Sequence, residues 1–394
     1  MYDTIIIGAG PAGLSAARIL QHSQKVLIID EYFHPGGRLL GQLYEEEKGS
    51  WWNGLKMADE LYEDTKEKTE IKLSTSVYNV EFDETYTVYT TNGNFKSEHL
   101  IIATGAREKS TPLPGWDLPG VMTVGAAQVL TNFSRVKPGD KGVIVGVNPL
   151  SMVIGLELGY ADIEVAKICL PQENLINSDT PREALNTLMS LGKSAPSKPL
   201  SLAAGIAETA RPFHSTAVKL FPKNGVKAMG MPISIKEKII RINGTEKVES
   251  VTVQKTDAAG TLIADTDRVI DCDFVCLSDG LAPLNEIASL LDLKHIYSEA
   301  LGGYVPLHSE KMQTELPNLY VAGNITGIEN AKIAIFQGEL AAHQILNNEA
   351  LSLNTLTKIN NERKHAKVKF HKDLDDGKKM VQNFWSKLGK NPSQ

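Results

Sequence analysis

The sequence predicts an α/β fold in which two related units share one chain, the second inserted in the first. A short apolar run, a glycine-rich turn, a helical stretch and a second apolar run follow one another within residues 4–30. The same order returns within residues 141–170, and a further strand with a glycine turn occurs at residues 319–323. Because short apolar strands that alternate with helices form parallel sheets, these stretches predict repeated βαβ units.

Length and composition exclude several classes of protein. A chain of 394 residues is too long for one ordinary core and predicts two to three domains. Apolar residues make up 42% and charged residues 22%, which excludes a disordered protein. The 41 Lys and Arg residues against 47 Asp and Glu residues give a net charge of −6, so no global field attracts nucleic acid.

Cysteine content and hydropathy predict the location. Cys169, Cys272 and Cys276 are too few for a disulfide framework and favour a reducing compartment. No apolar stretch approaches the roughly 20 residues of a membrane span, and the first residues lack the basic segment of a signal peptide. We therefore expect a soluble, cytoplasmic protein without a membrane span. The histidines show no metal-ligand spacing, so no metal site is predicted.

The first glycine turn carries the most chemistry. Gly8-Ala9-Gly10-Pro11-Ala12-Gly13 follows a strand and opens a helix. Gly8 makes the tight turn, Gly10 lets the main chain approach a pyrophosphate, and Gly13 allows close helix–strand packing. The helix N-terminus favours the phosphate charge. Asp30 ends the next strand, 22 residues after Gly8, where a carboxylate accepts hydrogen bonds from ribose. The pattern predicts a Rossmann-like dinucleotide site.

This segment resembles the FAD-binding start of the two-dinucleotide-domain flavoproteins, the group that includes thioredoxin and glutathione reductases. The resemblance implies FAD as the cofactor and Glu31 as a neighbour of Asp30 in the site. Gly37 and Arg38, with Gln42, look like the loop beneath the flavin ring. Further implied contacts are the adenine segment ending at Val77 and the exit of the chain from the FAD domain at Ala103, Thr104 and Gly105.

A second flavin signature follows the third strand. The run that ends in Gly323-Asn324 resembles the segment whose final acid holds a ribityl hydroxyl, and an amide oxygen can accept the same hydrogen bond. The resemblance places Lys332 and Ile333 at the start of a helix beneath the flavin, where a helix N-terminus stabilises negative charge. For Lys332 alone, a solvated lysine at a helix start is the alternative.

The second glycine turn departs from the fingerprint. Gly146 is kept, but the second and third glycines are replaced by Asn148 and Ser151. A Cβ atom at the middle position obstructs the approach of the backbone to a pyrophosphate, and the next strand ends without an acid. NAD(P) binding therefore stays open. The alternative is a domain kept for architecture or for another nucleotide.

The cysteines argue against a thioredoxin reductase. The sequence has no C-x-x-C motif, and Cys272 and Cys276 lie in an alternating, strand-like run. Four strand residues separate Cα atoms by about 13 Å, whereas a disulfide needs less than about 7 Å. The pattern favours buried core thiols unless the segment is helical. No catalytic residue follows from spacing alone.

Residues 103–127 indicate the branch of the group. They resemble the FAD/NAD-type subunits of amine-oxidising flavoenzymes: sarcosine oxidase alpha, opine oxidase A, cyanide-forming glycine dehydrogenase B and the proline and hydroxyproline dehydrogenases. A helical excursion between Asn174 and Lys223 looks like this branch too. The resemblance implies an FAD-dependent oxidoreductase that acts on a small molecule, within an oligomer that includes a partner flavoprotein subunit. The alternatives are a stand-alone NAD(P)H-dependent flavin reductase and a structural subunit that binds a nucleotide.

The expected domains follow from this assignment. Residues 1–122 and 283–350 form the FAD-binding domain, and residues 123–282 form the NAD(P)-like domain with its degenerate fingerprint. Residues 351–394 form a basic, amphipathic C-terminal extension. From Lys358 to Lys390 it carries ten Lys and Arg residues against four Asp and Glu residues. One or two helices are expected there, either solvated or docked on a partner subunit.

Overall fold

The computed structural model describes residues 1–47, 49–172, 180–193, 214–366, 370 and 373–388. The strands are β1 (Tyr2–Ile7), β2 (Val26–Ile29), β3 (Leu43–Glu47), β4 (Ser50–Asn53), β5 (Glu70–Lys72), β6 (Val77–Asp83), β7 (Thr85–Thr90), β8 (Gly93–Ile102), β9 (Ala106–Glu108), β10 (Val121–Thr123), β11 (Lys141–Val145), β12 (Glu164–Pro171), β13 (Val226–Ala228), β14 (Met231–Asn243), β15 (Ser250–Lys255), β16 (Arg268–Asp271), β17 (Phe274–Leu277), β18 (Leu281–Pro283), β19 (His295–Ser298), β20 (Gly303–Pro306) and β21 (Leu319–Val321). The α-helices are α1 (Pro11–Leu20), α2 (Gly54–Glu63), α3 (Val124–Asn132), α4 (Pro149–Tyr160), α5 (Pro181–Lys193), α6 (His214–Leu220), α7 (Glu286–Leu290), α8 (Ala331–Ile345), α9 (Glu349–His365) and α10 (Leu374–Leu388).

The chain divides into two compact units. The first comprises residues 1–40, 53–107 and 281–394, and the second comprises residues 41–52 and 108–280. The second unit is thus inserted in the first, as the sequence predicts. Part of the expected helical excursion, residues 174–179 and 194–213, lies outside the described residues.

The units begin and end at other residues than the expected domains. Segment 108–122 joins the second unit because its main chain bonds there: the Ile242 amide donates to Pro114 at 2.8 Å, and the Val248 amide donates to Pro119 at 2.9 Å. The C-terminal extension, expected as a separate segment, belongs to the first unit.

The first unit is built on a Rossmann-like sheet with the order β5-β2-β1-β8, and β21 pairs with β8. These pairings are parallel; Ile5 of β1 lies beside Leu27 of β2 on one side and Leu100 of β8 on the other. The strands are apolar runs without alternation, as expected for a sheet that is buried on both faces. Strands β6, β7 and the first half of β8 continue the sheet as an antiparallel meander. The carboxyl ends of β1, β2, β8 and β21 therefore lie along one edge.

The second unit repeats this architecture. Its sheet has the order β10-β17-β11-β12-β14-β15-β16, with parallel pairing from β10 to β14 and antiparallel pairing beyond. Helix α4 follows β11 directly, as α1 follows β1 in the first unit. The expected α/β fold with two Rossmann-like units is confirmed.

The C-terminal extension forms two helices, α9 and α10. Leu374 and Val381 of α10 join a buried cluster with Leu301 and Val305 of the first unit. Burial of these side chains holds α10 against the unit. Two helices are present, as expected; α10 is amphipathic and contributes to this cluster, whereas α9 has no apolar face and buries Ser352, Thr355 and Ile359.

Candidate flavin site

The glycine turn between β1 and α1 is shaped by close main-chain contacts. Gly8 has φ +111°, and a Cβ there would lie 2.4 Å from the Ala103 carbonyl oxygen. A Cβ on Gly13 would lie 1.9 Å from the Gly8 carbonyl oxygen. Around Gly10, by contrast, no atom lies within 4 Å of an added Cβ. Two glycines are thus required by packing, whereas the third borders open space.

The N-terminus of α1 has the properties of an anion site. Gly10 is the N-cap and has no side chain to cap the helix, and Pro11 has no N–H group. The N–H groups of Ala12 and Gly13 belong to the first turn, which has no intrahelical acceptor for them, and the positive end of the helix dipole lies at this end of α1. A Cβ at Gly10 would fill this cradle. The turn fits the diphosphate of FAD.

The Asp30 carboxylate is committed to the protein main chain. One oxygen accepts from the Ala9 amide at 2.6 Å and the other from the Tyr32 amide at 2.8 Å. Burial raises the pKa of Asp30, and these two hydrogen bonds work in the opposite direction. Asp30 therefore ties the glycine turn to the end of β2. Its contact with ribose stays a prediction, and the exposed Glu31 follows directly along the chain.

The expected adenine segment runs along the same edge. The Thr75 amide donates to the Asp30 carbonyl at 3.0 Å, and the Ser76 amide donates to the Thr91 hydroxyl at 3.2 Å. Val77 follows as the first residue of β6 and is half-buried. Val77 thus follows two residues after Thr75, which is bonded to Asp30, directly after β2.

The loop after Tyr32 packs on the glycine turn. A Cβ on Gly37 would lie 3.2 Å from the Gly10 Cα atom. Arg38 Nε donates to the Ala106 carbonyl at 3.0 Å, so its guanidinium joins this loop to the start of β9. The structure places Gly37 beside Gly10 and bonds Arg38 to Ala106; the contact of both residues with the flavin ring stays a prediction.

The exit from β8 continues the edge. The Ala103 amide donates to the Ile7 carbonyl at 2.8 Å, next to the glycine turn. The Thr104 hydroxyl donates to the Leu284 carbonyl at 2.5 Å, and the Leu284 amide donates to the Gly105 carbonyl at 3.0 Å. These bonds join the segment just before the chain leaves the first unit, at residue 107, to the segment just after it returns, at residue 281.

The second flavin loop, residues 323–330, follows β21. Gly323 has φ +82°, and a Cβ there would lie 3.1 Å from the Ala12 Cβ atom. The Gly323 amide donates to Gln337 Oε1 at 2.8 Å. The Asn324 side-chain oxygen accepts from the Glu329 amide at 3.1 Å, so this side chain shapes its own loop and keeps its NH₂ group for another acceptor. The expected contact with a ribityl hydroxyl stays a prediction.

Helix α8 starts directly after this loop. Asn330 is its N-cap and accepts from the Ile333 amide at 2.9 Å, so that amide is already bonded within the protein. Ile333 is buried, and Lys332 is half-buried in the first turn. The helix begins where the sequence predicts, but only the earlier N–H groups of its first turn are left for a ligand.

A buried ion cluster that the sequence analysis missed lies beneath the second flavin loop. Glu329, whose side chain is 2% exposed, receives Arg363 through two hydrogen bonds of 2.7 and 2.9 Å. Lys378 Nζ lies 2.9 Å from the same carboxylate and donates to the Thr326 carbonyl at 3.0 Å. Burial alone would raise the pKa of Glu329, but the two cations outweigh it and lower the pKa to about 2. The carboxylate is therefore ionised.

Gln42 is separated from the other predicted residues by the division of the chain, because segment 41–52 belongs to the second unit. Its side-chain oxygen accepts from Trp52 Nε1 at 2.9 Å. In the same unit Glu157, which is 1% exposed, accepts from Gln128 and Asn132 at 2.8 and 2.7 Å. Burial, the largest cause, raises the pKa of Glu157 to about 8.

The second glycine turn caps itself. Asn148 Oδ1 accepts from the Ser151 amide at 3.0 Å, and Ser151 Oγ accepts from the Asn148 amide at 3.0 Å. Asn148 Nδ2 also donates to the Ser278 carbonyl at 2.6 Å. A capping box thus occupies the N-terminus of α4, where a glycine fingerprint would leave bare main chain. The two turns share a fold and differ in their capacity for a diphosphate.

The thiols are buried and lack partners for redox chemistry. Cys169, Cys272 and Cys276 are free, and burial raises the pKa of each, to about 12 for Cys169 and Cys272. Cys272 follows β16 and Cys276 lies within β17, so the segment is not helical. The predicted core thiols are confirmed.

The described part of the chain contains neither a metal-binding cluster nor a membrane-spanning helix. There, no group of three or more His, Cys, Asp or Glu residues is arranged to hold a metal ion. Likewise, none of the helices described is long and apolar enough to cross a membrane.

Comparison with known proteins gives a consistent picture. A family model for pyridine nucleotide-disulphide oxidoreductases matches residues 2–338. Opine oxidase A of Rhizobium meliloti is 28% identical over 371 residues, covering 88% of this chain and 71% of that protein. Hydrogen cyanide synthase subunit HcnB of Pseudomonas aeruginosa is 24% identical over 363 residues, covering 87% and 70%. The crystal structure of L-proline dehydrogenase from P. horikoshii has a similar fold, with a TM-score of 0.64 and 20% identity; this chain spans 58% of its length and is itself covered to 91%.

Proposed function

The chain belongs to the pyridine nucleotide-disulphide oxidoreductase family, and we propose that it carries FAD in an enzyme that oxidises an amine or amino acid. An FAD-dependent oxidoreductase follows from the family itself. The substrate class is our proposal: sarcosine, proline, hydroxyproline, glycine or an opine, oxidised together with a partner subunit. The similarity to opine oxidase A and to L-proline dehydrogenase supports this substrate class. The contrast between the open first glycine turn and the self-capped second turn carries the assignment of the dinucleotide to the first unit.

The residues of the first unit have defined tasks in this proposal. The N–H groups of Ala12 and Gly13 bind the diphosphate, and Gly10 keeps the cradle open. Asp30 holds the turn in place through its two main-chain hydrogen bonds and accepts from ribose hydroxyls with its remaining lone pairs, and Glu31 lies beside it. The Asn324 amide contacts the ribityl chain. Bound FAD supplies a hydride acceptor at N5 of its ring, and the protein supplies position and electrostatics.

The second turn argues against NAD(P)H as the electron source. The Asn148 side chain accepts from the Ser151 amide, the counterpart of the Gly13 N–H group in the first turn, and the Ser151 hydroxyl accepts from the Asn148 amide. Displacing this capping box would cost about 1 kcal/mol or more before any ligand contact is gained. We therefore propose that the amine substrate supplies the electrons that reduce the flavin. A stand-alone NAD(P)H-dependent reductase is the alternative that this geometry disfavours.

The partner subunit is supported by the relatives. Opine oxidase A and hydrogen cyanide synthase HcnB are both named as subunits, and each covers most of this chain. We propose that this chain likewise works beside a second polypeptide that contributes to the oxidation of the amine.

Anaerobic flavin reduction tests the proposal. The purified chain, alone and co-expressed with the products of neighbouring genes, is mixed with sarcosine, L-proline, hydroxyproline, glycine, an opine or NADH. We expect loss of the oxidised flavin absorbance with one of the amines and with the partner present, and none with millimolar NADH. Rapid bleaching by NADH alone would support the reductase instead. Full amine oxidation by the lone chain would refute the dependent-subunit role.

A further inference from the structure

We propose that the C-terminal extension positions the second flavin loop, and that Arg363 and Lys378 are the positioning residues. This inference rests on the proposed function, because it concerns the loop that we assign to FAD. It gives the basic extension a task inside its own subunit.

The loop is bonded to the extension through its main chain. Lys378 Nζ donates to the Thr326 carbonyl at 3.0 Å. The Thr326 hydroxyl in turn donates to the Gly323 carbonyl at 3.0 Å, and Gln337 accepts from the Gly323 amide at 2.8 Å. Two hydrogen bonds therefore connect the Lys378 ammonium group on α10 with Gly323, which lies beside Ala12 in the first turn of α1.

The other end of the loop is held by α9. Arg363 binds both oxygens of Glu329, a planar two-bond arrangement that fixes direction as well as distance. Its neighbour Glu362 accepts from Asn330 Nδ2 at 2.9 Å, and Asn330 is the N-cap of α8. The extension thus contacts the loop and the start of the following helix at the same time.

Stability alone gives a weak reason for this cluster. Apolar side chains of similar volume often hold buried helices as well as an ion cluster does, because ions lose hydration on burial. Arg363, Lys378 and Glu329 together carry one net positive charge, and the neighbouring carboxylate of Glu362 is bonded to Asn330 instead. His308 adds no charge near neutral pH, because burial, followed by the charge of Lys378, lowers its pKa to about 4. A positive charge under the loop favours a bound group that gains negative charge on reduction.

The test compares variants that break the cluster with one that replaces it. Lys378→Met removes the bond to Thr326. The triple variant Glu329→Met, Arg363→Met, Lys378→Met exchanges all three charges for apolar groups and avoids an unpaired buried ion. Lys379→Met is the matched control, because Lys379 is the next residue of α10 and pairs with Asp376 at the surface, at 3.3 Å. The readouts are the FAD dissociation constant, the flavin midpoint potential and urea unfolding of the FAD-free protein.

We expect the triple variant to unfold at a urea concentration close to that of the natural protein and to bind FAD at least tenfold more weakly. Its midpoint potential should fall, because the net positive charge is lost; a tenfold greater loss of affinity for the reduced form corresponds to about 30 mV. Lys378→Met should lower FAD affinity in the same direction, and Lys379→Met should change neither quantity.

The outcomes separate the two proposals. If the natural protein takes up FAD and the triple variant matches it in affinity and potential, the cluster is only structural and the positioning role is overturned. If the natural protein takes up no FAD, the proposed function fails and the positioning role fails with it.

Discussion

Alanine in place of Gly10 separates folding from cofactor binding. Gly10 has φ −77° and ψ −176°, which alanine adopts without strain, and its added Cβ meets no atom within 4 Å. Gly10→Ala should therefore leave the free energy of unfolding unchanged, or raise it by about 0.4–1 kcal/mol through the unfolded chain. The same Cβ stands where the diphosphate approaches the main chain.

The expected loss of affinity follows from the hydrogen bonds at stake. A hydrogen bond to a charged group contributes about 1.5–3 kcal/mol, and the Cβ keeps the diphosphate from the N–H groups of Ala12 and Gly13. A loss of about 3 kcal/mol weakens FAD binding by about 100-fold. Gly13→Ala is the contrast, because its Cβ would lie 1.9 Å from the Gly8 carbonyl oxygen. Forcing the strand and helix apart should destabilise the protein by about 1–3 kcal/mol or more.

The assay measures both properties on the same preparations. Urea unfolding of the FAD-free proteins gives stability, and titration with FAD followed by flavin fluorescence gives the dissociation constant. We expect Gly10→Ala to be as stable as the natural protein and to bind FAD with a dissociation constant about 100-fold higher. A Gly10→Ala protein that binds FAD as the natural protein does would refute the assignment of the diphosphate to this turn.

Three further predictions concern the second unit and the thiols. Asn148→Ala removes the cap of α4 and should lower the free energy of unfolding by about 1 kcal/mol in urea titrations, without creating a response to NADH. Because burial raises the pKa of Glu157 from 4.5 to about 8, the folded protein keeps a proton that the unfolded chain releases. The contribution of the neutral Glu157 carboxyl to the free energy of unfolding is complete below about pH 4.5 and is lost as the pH rises through 8. Glu157→Gln should therefore flatten the fall in the free energy of unfolding that urea titrations show over this range. An unchanged dependence on pH would contradict the buried neutral carboxyl. Cys169, Cys272 and Cys276 are buried with raised pKa values, so a thiol reagent should label none of them before unfolding, as mass spectrometry will show.

The fold was predictable because its signals are local. The apolar runs of β1 and β2 and the spacing of Gly8, Gly10 and Gly13 sit within about one βαβ unit, where sequence separation and spatial contact coincide. The packing roles of Gly8 and Gly13 are confirmed by the contacts that a Cβ would make. The roles of the site residues toward FAD stay predictions.

The ion cluster on Glu329 and the hydrogen bonds of Asp30 could not be predicted, because they depend on contacts between distant parts of the chain. The basic tail gave no indication that Arg363 and Lys378 are buried on Glu329, because their charge alone is typical of a solvated helix. The run GNITGIEN before α8, residues 323–330, contains a single charged residue, Glu329, and this gave no indication of its two partners. Similarly, Asp30 was correctly placed at a strand end, but the use of its carboxylate by the Ala9 and Tyr32 amides depends on the path of two loops.

The most direct test of FAD binding is the visible spectrum of the purified chain, with mass spectrometry of the small molecule released on denaturation. We expect a yellow protein that releases FAD in a ratio close to one per chain. A colourless protein that takes up no FAD on incubation, while remaining folded by circular dichroism, would contradict it.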